Sequence, residues 1–194
     1  MTAQALDQVR WRGRTWSLVG IDGDGLFDPT ALGIVPQMLH TAAWRGSICC
    51  YAVENDELRL RRLEIGFDPL TQERALAGDP PVIADVRPRQ QGTGYVWLYD
   101  EADLPVPFTG GLRIGHGFIQ ELYVHMGFAP AWKFEEVHEL RFESGRLVAA
   151  VDESDAMRRQ RALATKEPLA PPRGSGVERI TDWIRGTFDR TYRR

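Results

Sequence analysis

The chain has 194 residues, 43% of them hydrophobic and 26% charged, with a formal net charge of −3 and a pI near 5.8. That length suits one domain, or one domain with an appendage, and is enough to bury a real core. The charge balance excludes the strongly basic field of a general nucleic-acid binder, and no apolar run nears the ~18 residues that a membrane-spanning helix requires.

Met1 to Arg14 is mixed and polar, without the apolar stretch of a secretory signal, so a cytoplasmic location is expected. From Arg10 to about Val151, short apolar runs alternate with Gly and Pro, the pattern of many short antiparallel strands. "WRGRTWSLVGIDGDG" reads as an opening strand followed by a Gly/Asp turn. Asp22, Asp24 and Asp28 in "IDGDGLFDP" have the texture of a Ca²⁺ loop. An EF-hand, however, wants an acid or Asn where Leu26 stands and a Glu where Gly33 stands, so no metal is expected there.

Ser47 to Ile65 reads as a hairpin closed by Asn55-Asp56, with Tyr51 facing Leu60 and Val53 facing Leu58. The apolar phase then slips, from Leu58 and Leu60 to Leu63 and Ile65. A bulge near Arg61-Arg62 accounts for the slip. "DPLTQERALAGDPPVIADVRPRQQG" is a Pro-rich connection with one helical turn. "TGYVWLYD" and "GGLRIG" are strands, and "HGFIQELYVHMGF" reads as a short helix entering a turn at Gly127. "VHELRFESGRLVAAV" is a second hairpin around Ser144-Gly145, pairing Phe142 with Leu147 and Leu140 with Ala149.

The fold class is therefore mainly β (α+β): a single curved antiparallel sheet or sandwich over residues 1–151, with one or two helices. Residues 152–194 form an appendage: a charged Ala-rich helix, a Pro/Gly linker and an amphipathic terminal helix that Ser175 could cap. Val177, Ile180, Ile184 and Phe188 make one stripe of that helix, with Trp183 beside it, and the stripe must be buried on something. Arg173 to Arg194 carries six arginines against three acids, or +3. Its polar face mixes both signs, which argues against a membrane surface and for a protein partner or self-association through Ile180, Trp183, Ile184 and Phe188.

Trp44-Arg45-Gly46 heads the first hairpin. Read as packing, Trp44 is a buried anchor, Gly46 turns the chain and Arg45 caps a neighbouring carbonyl or acid. Read as a site, the aromatic and the guanidinium grip a carboxylate. Cys49 and Cys50 are adjacent, so they form no ordinary disulfide, and mid-strand cysteines act mainly as small apolar residues. No zinc spacing, P-loop, nucleophile elbow or dinucleotide fingerprint occurs, and no cofactor, metal or catalytic residue is expected. Of the four histidines, His138 lies on an apolar strand face. His125 stands between Tyr123 and Gly127 and is the histidine best placed to meet a ligand.

"TAAWRGSICCYAVENDELRLRRLEI", taken with "FTGGLRIG" and "ELYVHMGF", resembles a family of small bacterial proteins without an assigned activity. Its members carry a W-R-G hairpin and a later Y-V-H-M-G segment. Trp44, Arg45, Gly46, Tyr51 and Tyr123 to Gly127 carry the resemblance, which covers about Thr41 to Val151. Cys50 departs from it, standing where the family tends to have a small residue. The resemblance implies a bacterial, β-rich, cytosolic protein and nothing catalytic. The resulting expectation is a non-enzymatic binding protein, of the immunity or adaptor kind. The alternative is a small-ligand binder or enzyme using a sheet cavity near Trp44, Arg45, Tyr123 and His125.

Overall fold

The protein is described by a computed structural model covering residues 2–92, 94–164 and 176–192. Three two-residue turns organise it. Arg12-Gly13 joins β1 (Gln8–Trp11) to β2 (Arg14–Asp24), Asn55-Asp56 joins β3 (Ser47–Glu54) to β4 (Glu57–Gly66), and Ser144-Gly145 joins β9 (Phe134–Glu143) to β10 (Arg146–Asp152). All six turn residues have positive φ, the geometry whose twist matches antiparallel neighbours. The opening segment is thus two strands and not one, and β2 continues through the Gly/Asp run to Asp24. Arg12 holds its left-handed conformation with its guanidinium 4.3 Å from the Trp11 ring centre.

Between the hairpins lie α1 (Pro69–Leu76), β5 (Arg89–Gln90), β6 (Val96–Tyr99), β7 (Leu104–Pro105) and β8 (Thr109–Phe118). Asp68 caps α1, which is longer than the single turn expected. A 3-10 turn at Gln120–Leu122 and a positive φ at Gly127 occupy the segment read as a short helix entering a turn. α2 (Ser154–Ala164) and α3 (Val177–Phe188) fall where helices were expected. The linker and Ser175 lie outside the described residues, and Gly176 holds the N-cap position of α3.

The register of the first hairpin is the one its side chains demand. Tyr51 faces Leu60, Val53 faces Leu58, and Cys50 faces Arg62, so Arg61 is the bulge. In the second hairpin Phe142 faces Leu147 as expected. A bulge at Val148 then brings Ala150, not Ala149, opposite Leu140.

The ten strands form one sheet in the order β10-β9-β8-β2-β1-β3-β4-β6-β5, with β7 also on β4. Every pair is antiparallel except β1 with β3. The sheet curls until Arg146 of β10 pairs with Glu57 of β4. Two bonds stitch the hairpin tips there, Leu58 N–H to Gly145 O (2.8 Å) and Leu147 N–H to Asp56 O (2.7 Å). Closure protects edges that would otherwise invite aggregation. Inside the curl, Trp16, Leu18, Tyr51, Leu60, Leu112 and Leu140 are buried. His138 packs edge-on against Trp11 and Trp16, as its place on the apolar face implied.

A register shift in β2 between Leu18 and Gly20 positions the outer site. Leu18 joins the inner core, while Val19 joins a second, smaller core outside with Phe134, Val137 and Met157 of α2. Beside it a Cβ on Gly20 would press on the Tyr192 ring. A bare backbone at Gly20 therefore lets the C-terminal segment lie against the sheet.

Candidate functional site

Asp7 ties the ends of the chain together. It is 4% exposed. Its Oδ1 accepts from Arg45 Nη2 (2.6 Å) and from the Cys49 backbone N–H (2.7 Å), and its Oδ2 accepts from Arg190 Nη1 (3.0 Å). Arg45 also donates to Ser47 O (2.8 Å) and Ala5 O (3.3 Å). Burial lowers the Arg45 pKa and the Asp7 charge opposes that shift. Both guanidinium groups lie over the Phe128 ring, at 5.4 Å for Arg45 and 4.7 Å for Arg190. Arg45 thus caps an acid and carbonyls, as the packing reading required.

Trp44 does not follow that reading. It is 45% exposed and stacks on Phe188 with ring centres 5.3 Å apart. Only its backbone N–H is fixed inward, on Gln4 Oε1 (3.2 Å). Gly46 turns the chain with φ 78°, where a Cβ would meet Gln37 O at 2.7 Å. The energetic ranking within the head is therefore Arg45 over Trp44. Trp44→Ala should cost about 1 kcal/mol, the scale of one aromatic pair. Arg45→Ala should cost at least about 2 kcal/mol, because it breaks a largely buried ion pair. Urea titration of both variants reads the order.

The C-terminal segment docks on its own barrel. Thr187 O accepts from Phe128 N–H (2.7 Å), Arg190 O accepts from Ile21 N–H (2.9 Å), and Ile21 O accepts from Tyr192 N–H (3.2 Å). The Tyr192 hydroxyl donates to Glu139 Oε1 (2.7 Å), and the Arg113 guanidinium sits 3.9 Å from the Tyr192 ring centre. Gly127, with φ 65°, admits this approach, since a Cβ there would overlap the Thr187 carbonyl oxygen. Gly127→Ala should therefore undock residues 187–192. Strain from the left-handed backbone alone costs about 1–2 kcal/mol. Faster amide exchange at Ile21 and Phe128 is the readout.

Docking forms an open cavity of about 420 Å³ between the outer sheet face, α2, residues 124–133 and the tail. Gly20, Trp132, Met157, Trp183 and Tyr192 are among its walls. A second cavity of about 210 Å³ lies beside it and shares Val124, Met126, Phe128, Ala129 and Lys133. Lys133 is the unusual group. It is 6% exposed, and among the described residues no carboxylate or hydrogen-bond acceptor pairs with its ammonium. Its neighbour is the Trp132 ring, 5.3 Å away. Burial alone pulls its pKa below the ordinary lysine value. The chain has two lysines, Lys133 and Lys166, against twenty-two arginines.

The four residues singled out in the sequence do not converge. Tyr123 and His125 meet, hydroxyl to Nδ1 at 2.9 Å, on an exposed loop. Tyr123 lines the smaller cavity. Trp44, Arg45 and His125 line neither. Trp183, beside the apolar helix stripe, lines the larger cavity and Phe188 of the stripe stacks on Trp44, while Ile180 stays 38% exposed and Ile184 is half-buried. Burial raises the pKa of both Cys49 and Cys50, the opposite of what an activated thiolate needs. Among the described residues no group of three or more His, Cys, Asp or Glu side chains gathers as metal ligands, and no helix is long and apolar enough to cross a membrane. Comparison with protein-family models, curated proteins and solved structures finds no match to this chain.

Proposed function

We propose that this is a small-molecule-binding protein whose ligand occupies the cavity under the C-terminal segment and presents an oxygen-bearing head to Lys133. The Lys133 ammonium, set on the cavity wall with no acid or acceptor among the described residues, carries the reading. Partial burial disfavours the charged form of this amine, so its place on the cavity wall favours a partner that arrives from outside. The volume lies in the range of small-ligand sites, about 300–1,000 Å³. Trp132, Trp183 and Met157 would hold the apolar body. Cytoplasmic residence belongs to the same proposal and fits two free cysteines. The test is a thermal-shift panel of small carboxylates, aldehydes and ketones on the wild type and on Lys133→Met. Compounds that raise the wild-type Tm and leave the variant unmoved support the reading. Equal shifts in both proteins, or none in the wild type, refute it.

A second reading, binding to a protein in an immunity or adaptor role, is favoured by the outer half of α3. Val177 is 82% and Ile180 38% exposed there. Ile180→Asp should then lower the mass seen by light scattering, or abolish capture of a defined partner. An unchanged monomeric mass together with unchanged capture of that partner argues against it.

A further inference from the structure

We infer that Lys133 is a reactive amine that condenses with an aldehyde or ketone carbon of the ligand to form an imine. This rests on the reading of the cavity as a ligand site and names the ligand's chemistry.

The composition gives the first argument. Arginine fills twenty-two of the twenty-four basic positions in the chain. Around this site Arg45 and Arg190 meet Asp7, and Arg113 meets Glu153. A charge required only for pairing would follow that usage. Lysine differs in one decisive respect: it can give up its proton and become a nucleophile, whereas a guanidinium stays charged in proteins. Of the basic residues lining the cavity, Arg113 and Arg190 have acids and Lys133 has none among the described residues.

Geometry gives the second. Lys133 is 6% exposed as a residue, lines a cavity of about 420 Å³, and among the described residues has no acceptor that would tie up its nitrogen. Trp132 and Trp183 give the cavity apolar walls for the body of a carbonyl compound. Burial lowers the Lys133 pKa and so raises the fraction of neutral amine. The Nζ lone pair attacks the carbonyl carbon and forms the C–N bond, while the carbonyl π pair moves to oxygen. One nitrogen proton passes to that oxygen. The carbinolamine then loses water as the nitrogen lone pair closes the C=N bond. No electrons are gained or lost overall, and water reverses the step.

Benzaldehyde with cyanoborohydride, which reduces an imine in place, tests this on the full chain at neutral pH. The expected result is one benzyl group per chain, located on Lys133 by peptide mapping and absent from Lys133→Arg and Lys133→Met. Labelling of Lys133 should persist to lower pH than labelling of Lys166. In urea both lysines should react alike, which verifies detection. Labelling of Lys166 and the α-amine of the folded protein, with Lys133 spared, overturns the inference. If panel compounds stabilise the wild type but not Lys133→Met while no Lys133 adduct forms, the cavity reading survives and the imine is refuted. If neither occurs, both fall together.

Discussion

Asp7→Ala should lower the free energy of unfolding by about 3–5 kcal/mol, the cost of stripping one partner from a buried ion pair. In a chain of this length that is a fall in Tm of roughly 10 °C. One 4%-exposed carboxylate holds Arg45, the Cys49 N–H and Arg190. Without it, two guanidinium groups face each other over Phe128 with no anion between them, and a strand N–H loses its acceptor. The tail should loosen with the barrel, because Arg190 is one of its anchors. Asp7→Asn keeps the shape and an acceptor, so it should cost less. The difference between the two variants separates the hydrogen bonds from the charge. Circular dichroism melts and urea titration give both values.

Lys133→Met should do the reverse and raise stability, by about 1 kcal/mol, because it replaces a partly desolvated ammonium with an apolar side chain. Methionine keeps a flexible apolar stem of similar length. The gain has a defined pH dependence. The folded-state pKa of Lys133 is lowered by burial, so between that value and the unfolded value of about 10.4 the unfolded chain binds a proton that the native chain does not. Wild-type stability therefore rises with pH across that window. The advantage of the variant is full below the folded pKa and fades as the pH climbs toward the unfolded one. A variant that is more stable yet deaf to every panel compound is the signature of a residue kept for function at the expense of stability.

Much of the barrel is legible in the sequence, and what was missed has local causes. Asn55-Asp56 and Ser144-Gly145 announce hairpins because their residue types tolerate positive φ. The parity change between Leu60 and Leu63 reveals the Arg61 bulge, since a bulge is the usual way for one strand face to change phase. Arg12-Gly13 was hidden because arginine rarely takes a left-handed conformation, and here its stacking on Trp11 supports the turn. The Val148 bulge left no mark because alanines stand on both sides of it and either could face Leu140. Trp44 looked like a core anchor by size, yet its direction depends on Phe188, which lies 144 positions later in the sequence. Asp7 is one acid in a mixed polar stretch, and its role depends on Arg190 arriving from the far end of the chain. Lys133 did leave a trace: one of two lysines in an arginine-rich chain, set between Trp132 and Phe134. Its lack of a partner is a property of the folded state alone.

The most direct measurement is a proton titration of the lysines themselves. With lysine labelled at Cε, the full chain should give two signals, assigned by comparison with Lys133→Met. One should titrate in the ordinary lysine range and the other at lower pH, and the second alone should move when a stabilising panel compound is added. Two signals that titrate together near 10.4, the usual lysine value, with neither responding to those compounds, would contradict a partly desolvated amine at the head of a ligand site.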